Sequence, residues 1–157
     1  MGGSIEMGNS FEIHIAADNI EQAKQEIQQR ARKALTAVGI QVSSLARTEI
    51  QKSPSRIDTG LLRNSITYAL DGEGTAISSY SADKASRYSG KMPPSESYSG
   101  TTPKEPEGRQ AVYIGTGVKY AIYVHEGTDR MAPNRFLKNA VENNQSEIIS
   151  IIKQELT

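Results

Sequence analysis

The stretch 18–52, "DNIEQAKQEIQQRARKALTAVGIQVSSLARTEIQK", decides the fold class, because its apolar residues keep one spacing along most of its length. Ile20, Ala23, Ile27, Ala31, Ala34, Val38, Val42 and Leu45 follow one another at three- and four-residue steps, which puts them on one face of an α-helix. Asp18 or Asn19 stands where a first turn takes a side-chain acceptor, and Pro54 cannot continue a helix, so the pattern predicts a single element ending near Lys52. At the helical rise it spans roughly 50 Å. The stripe is largely alanine and valine, small enough for close approach to a sheet or to another helix. Gly39, if inside, costs about 1 kcal/mol of helix propensity. A helix of this kind either covers its own domain's sheet or is shared with a neighbouring subunit.

Upstream, Phe11, Ile13 and Ile15 alternate with Glu12 and His14, which predicts a half-buried strand with His14 on the wet face. Downstream, "RIDTGLLRNSITYAL" (56–70) offers Asp58 or Thr59 as the N-cap of a short turn, Gly60 for the bend, and a strand over Ser65–Leu70. "DGEG" (71–74) is turn chemistry, and "TAISSY" (75–80) a returning strand. Residues 81–110 hold four prolines and abundant Ser and Gly with almost no aliphatic side chains, which predicts a long flexible loop anchored by Tyr80, Tyr88 and Tyr98. A strand follows over Ala111–Gly115. Tyr120, Tyr123, Val124 and Gly127 then sit at i, i+3, i+4 and i+7, predicting a short helical turn that buries tyrosine and valine and stops at Gly127; a second strand is the rival reading. Pro133 opens a C-terminal helix with Phe136, Leu137, Ala140, Val141, Ile148, Ile151 and Ile152 on its apolar face. The polar "ENNQSE" (142–147) predicts a bend or break near Asn143–Ser146.

The fold class is therefore α+β: a long N-terminal helix on a small antiparallel sheet, with a C-terminal helix and a long loop. At 157 residues it forms one domain, 1–157, with the loop 81–110 as an insertion. Eighteen basic residues balance eighteen acidic ones, which gives the chain no overall pull toward nucleic acid or an anionic membrane. No apolar run reaches the ~20 residues of a membrane span, and no secretory pattern opens the chain. The absence of cysteine excludes disulfides and thiolate sites and fits synthesis in a reducing cytoplasm.

Catalytic patterns fail one after another. Gly115 and Gly117 give G-x-G, but Tyr120 takes the third glycine's place. His125-Glu126 lacks the second histidine of H-E-x-x-H, and His14 is the only other histidine in the chain. No G-x-S-x-G elbow occurs for a serine nucleophile. Glu126 and Asp129 read as surface carboxylates. The expectation is no catalytic residue, no metal, no cofactor and no enzyme. A DNA-binding helix face around Arg30, Arg32 and Lys33, and a small hydrolase built on His125 and Glu126, are the rival readings.

Three pieces in order carry a resemblance: Asp58, Thr59, Gly60, Leu62, Arg63, Ser65 and Ile66; then Tyr120, Ala121, Val124, Glu126, Gly127 and Thr128; then Pro133, Arg135, Phe136 and Leu137. Together they resemble the tail-completion or head-tail joining proteins of long-tailed phages and prophages, over roughly residues 18–70 and 111–143. The sequence departs from that pattern at His125-Glu126 and in the length of the 81–110 loop. The resemblance implies a non-enzymatic virion protein that forms a ring, usually of six subunits, in the neck. On one side it meets head connector, adaptor or stopper proteins, and on the other the tail terminator or tail tube protein, with DNA passing through the lumen unread. Assembly takes place in the cytoplasm of the bacterial host, with no membrane partner. A tail terminator or another minor tail component is the alternative within that class. The loop from Ser81 to Gln110 is expected to order against a neighbour or an adjacent ring, and Arg63, Glu126 and Arg135 are the candidates for inter-element or inter-subunit salt bridges.

Overall fold

Forty residues, Ser10–Glu49, form one helix, α1, in the computed structural model, which describes residues 10–52, 55–98 and 103–157, with side chains from residue 20 onward. The strand predicted over Phe11–Ile15 is therefore helix, and Asp18 and Asn19 lie inside it instead of capping it. Neither proline nor glycine stands between Ser10 and Gly39, and each residue added to an existing helix gains a hydrogen bond without a new nucleation cost. A five-residue alternation is too short to outweigh that. The side chain of His14 and the helix-breaking Pro54 lie outside the described residues.

The chain continues through α2 (Leu61–Ser65), β1 (Thr67–Leu70), β2 (Gly74–Thr75), β3 (Ser79–Tyr80), β4 (Glu96–Ser97), β5 (Val112–Gly115), α3 (Ala121–Glu126), α4 (Phe136–Glu142) and α5 (Gln145–Leu156). Strands β2, β1 and β5 form an antiparallel sheet in that order, with Tyr68 opposite Ile114 and Ala69 opposite Thr75. The 71–74 turn joins β1 to β2 as predicted, but the returning strand stops after two residues. Tyr80 instead joins β3, which pairs with β4 in a separate two-stranded ribbon.

The second half of the α1 stripe covers the sheet: Val38, Val42 and Ala46, with Ile50 just past the helix end, are buried with Ile66, Phe136 and Ala140. Full burial of side chains such as Ile50, Ile66 and Phe136 contributes roughly 1.5–3 kcal/mol each. Gly39 is where helix and sheet come closest, since a Cβ there would lie 2.6 Å from the Tyr68 ring and 3.0 Å from a Val112 methyl. The first half of the stripe meets nothing: Ile20 is 56% exposed and Ile27 65%. Of the two readings of α1, the covering helix holds from Ala34 onward only.

The C-terminal helix divides as predicted, at Asn143–Asn144, and α5 lies along α1 with Ile148, Ile151 and Ile152 half-buried. Its first piece begins at Phe136, not Pro133, and Val141 falls off the buried face. The predicted loop supplies β4, which pairs with β3 just before it, and its described parts are tied to the body. Tyr80 is buried with its ring 4.9 Å from that of Tyr98, and Pro106 is buried too. Only Tyr88 fails as an anchor, at 81% exposed. Prolines and tyrosines supply the burial that the missing aliphatic residues do not.

Candidate functional site

The residues of the three motifs form two joints, both assembled from backbone geometry and short-range polar bonds. At the first, Gly60 adopts a left-handed φ of 85° directly before α2, and a side chain there would overlap the Asp83 carboxylate. Neither Asp58 nor Thr59 is the N-cap; Gly60 holds that position without a side-chain bond. Asp58 faces the other way. It accepts from the Ser86 hydroxyl at 2.5 Å and the Arg87 amide at 3.0 Å, and these bonds hold its carboxyl below the usual 3.8. Thr59 accepts from the Leu61 amide at 3.2 Å, while its carbonyl receives the Asp83 amide at 2.8 Å. Arg63 pairs with Asp83, and Asn64 donates to Asp83 at 2.9 Å and to the Ser81 carbonyl at 2.8 Å. Together these bonds fasten residues 81–87 to α2. Leu62 is buried beneath them.

The second joint surrounds α3 and the entry to α4. Gly127 caps α3 at φ 79° and ψ 174°, a region open almost only to glycine, and a Cβ on it would lie 2.8 Å from the Pro133 nitrogen and 2.9 Å from the Met131 carbonyl. Thr128 and Met131 close the intervening turn, the Thr128 amide donating to the Met131 carbonyl at 2.8 Å. The predicted helical turn with its Gly127 stop is thus present as α3, whereas its tyrosines are not buried: Tyr120 is 44% and Tyr123 61% exposed. With only six residues, α3 buries Ala121 and Val124 and turns the rest outward. His125 donates from Nδ1 to Glu126 at 2.8 Å and accepts the Lys138 amide on Nε2 at 3.4 Å. That bond, aided by Arg135 at 4.0 Å, holds the Glu126 carboxyl below its usual 4.5. The His125 ring also meets the buried Phe136 edge-on at 5.3 Å.

Tyr120 stands between the joints. It lines a cleft of about 320 Å³ with Asp58, Gly60, Arg63 and Ser86, and burial followed by the charges of Glu96 and Asp58 pushes its phenol up. Arg63, Asp58 and Glu126 all find partners within their own chain, as inter-element bonds that hold loops. Among the described residues no cluster of three or more metal-ligating side chains occurs, and no helix is long and apolar enough to cross a membrane.

Sequence reasoning missed Asn134 and the surface around α3. Asn134, a buried polar residue, reaches the Glu49 and Ile50 carbonyls at 3.4 and 3.5 Å, joining the end of α1 to the α3–α4 connection. The surface is an open groove of about 610 Å³ between β5, α3 and α4, walled by Tyr113, Val118, Ile122 and Leu137 over the buried Phe136. The alternation of Val112, Tyr113 and Ile114 marks Tyr113 as facing away from α1, which was the one available signal.

The sequence model of a family described as bacteriophage HK97-gp10 tail-components matches residues 16–127. The match takes in α1 through α3 and the first joint and ends at Gly127, leaving Pro133, Arg135 and Phe136 beyond it. No curated protein and no solved structure matches the chain.

Proposed function

The chain belongs to the bacteriophage HK97-gp10-like family of tail components, and from that premise we propose that it is a non-enzymatic structural protein of the virion neck. Six copies close into a ring at the head–tail junction. Head connector, adaptor or stopper proteins meet one face, the tail terminator or tail tube protein meets the other, and DNA passes through the lumen. The ring assembles in the cytoplasm of the bacterial host.

The observation that carries this reading is a pair of unlike apolar surfaces left open on one body. These are the turns of α1 from Ile20 to Ile27 and the groove beside α3, with Ile122. A closed ring requires each copy to present two different, complementary surfaces, whereas a simple dimer needs only one self-complementary patch. Equal numbers of acidic and basic residues suit a DNA conduit, because a strongly basic lumen would bind the phosphate backbone and hold it. The outer tip of the 81–98 segment, where Tyr88 and Met92 are exposed, is the part free to meet an adjacent layer.

The test is the particle mass and image of the purified protein, alone and mixed with tail tubes of its own phage. Rings of six copies of the 17.1 kDa chain, seated at the head-proximal end of the tube, are expected. Discrete dimers that ignore tubes would refute the proposal.

A further inference from the structure

We propose that the exposed turns of α1 around Ile20, Ala23 and Ile27 dock in the groove between β5, α3 and α4 of a second copy of this chain. The inference rests on the ring reading above and adds to it the two surfaces by which neighbours join.

From Ile20 to Arg30 every residue of α1 is exposed; in this arm Gln25, Gln28 and Gln29 share a cleft with Asp71 and residues 108–111, while Ile20 and Ile27 stand uncovered. Helix of this length draws little stability from propensity alone and ordinarily relies on packing of its apolar face. Ile20, Ala23 and Ile27 occupy positions i, i+3 and i+7, the spacing of anchors with which a helix fills an apolar groove. The groove offers matching chemistry: Tyr113, Val118, Ile122 and Leu137 form its walls, and Ile122 is 63% exposed with nothing packed on it.

Charge points to the same pairing. The groove is lined by Lys104, Lys119 and Lys138 and by no carboxylate, with Glu107 at 3.7 Å from Lys104 and Glu142 at 3.9 Å from Lys138 just outside it. From Ile20 to Ile27 the helix carries Glu21 and Glu26 against the single Lys24, a net negative charge to set against those lysines. Arg30, Arg32 and Lys33 come only after the last anchor, and Arg32 is occupied at the body by Glu73 and the Asp71 carbonyl.

Geometry excludes the arm's own groove. Arg32 is bonded beside the Leu70 end of β1, whereas Arg47 reaches the Ile66 carbonyl at the other end, where Thr67 pairs with Gly115 and the groove begins. Those two points on α1 are roughly 22 Å apart, and Ile27 and Ile20 lie roughly 7 and 18 Å farther out in the opposite direction. A straight helix cannot return, so the groove filled is a neighbour's. Joining one copy's arm to another's groove also leaves the pair with one free arm and one free groove, which is the propagating contact that ring closure requires.

The chain has no cysteine, which permits a clean test. Ile27→Cys and Ile122→Cys proteins, prepared separately and mixed, are treated with a short bifunctional maleimide. Because both sites are exposed, circular dichroism and urea midpoints are expected to match the parent. The expected result is a cross-linked dimer that requires both variants, absent when Ile149→Cys on α5 replaces Ile122→Cys. Ile27→Asp is expected to raise the concentration needed for assembly at least tenfold. Rings without the cross-link, and undisturbed by Ile27→Asp, would overturn the docking contact and leave the ring standing. The cross-link without rings would retain the contact and refute the ring, and failure of both would refute both.

Discussion

Gly39→Ala sets two effects of similar size against each other, and the structure decides which wins. In a helix interior, replacing glycine by alanine gains about 1 kcal/mol of propensity. Here the added methyl would lie 2.6 Å from Cγ and Cδ2 of Tyr68 and 3.0 Å from the Val112 methyl. The obstruction is the near edge of an aromatic ring fixed on β1, opposite Ile114, and not the free end of a flexible chain. Overpacking of this kind costs typically about 1–3 kcal/mol. The net expectation is a loss of about 1 kcal/mol, or a fall in melting temperature of about 2–4 °C for a chain of this size. Urea unfolding followed by circular dichroism measures it, with an unchanged denaturant slope. Repeating the substitution in a Tyr68→Ala background removes the obstruction, and there Gly39→Ala is expected to stabilise by several tenths of a kcal/mol or more. If Gly39→Ala stabilises the parent protein by the full propensity gain, the close approach of α1 to the sheet is wrong.

At Gly127, with φ 79° and the Pro133 nitrogen 2.8 Å from the position of a Cβ, strain and overlap act together, and Gly127→Ala is expected to cost about 2–4 kcal/mol by urea midpoint. Asn134→Ala is expected to cost about 1–3 kcal/mol, and in hydrogen exchange the last turn of α1 is expected to open faster, because the Glu49 and Ile50 carbonyls lose a donor. Asp58 is held below 3.8 by its bonds to Ser86 and Arg87, so its contribution is complete above that pH and disappears as the pH falls through the lower folded-state value. Asp58→Asn is therefore expected to flatten the acid limb of the stability–pH curve and to expose the 84–90 amides to exchange at neutral pH. An unchanged acid limb would contradict the clasp.

How much of this was legible depends on how local each cause is. Periodicity over tens of residues identified α1, and β5 and the break at Asn143–Asn144 followed from shorter runs with polar or glycine punctuation. Phe11–Ile15 misled because five alternating residues weigh less than the uninterrupted helix that continues from them. Asp58 looked like a cap since nothing nearby in sequence reveals that its true partners are Ser86 and Arg87, 28 and 29 residues away. The exposed tyrosines of α3 followed the spacing of a buried face, but a helix this short has room to bury only Ala121 and Val124. The motif glycines were legible as backbone punctuation, and Gly60 and Gly127 both have positive φ. What they position was not, because the α3 groove joins residues from three separate parts of the chain.

The central claim is that unlike surfaces of identical copies close into a neck ring, and the direct measurement is the native mass of the 157-residue chain over a range of concentrations, alone and beside tail tubes, followed by imaging. The account predicts sixfold rings, formed in solution or at the tube end. A species that stays monomeric or dimeric at every concentration and never occupies the tube would contradict it.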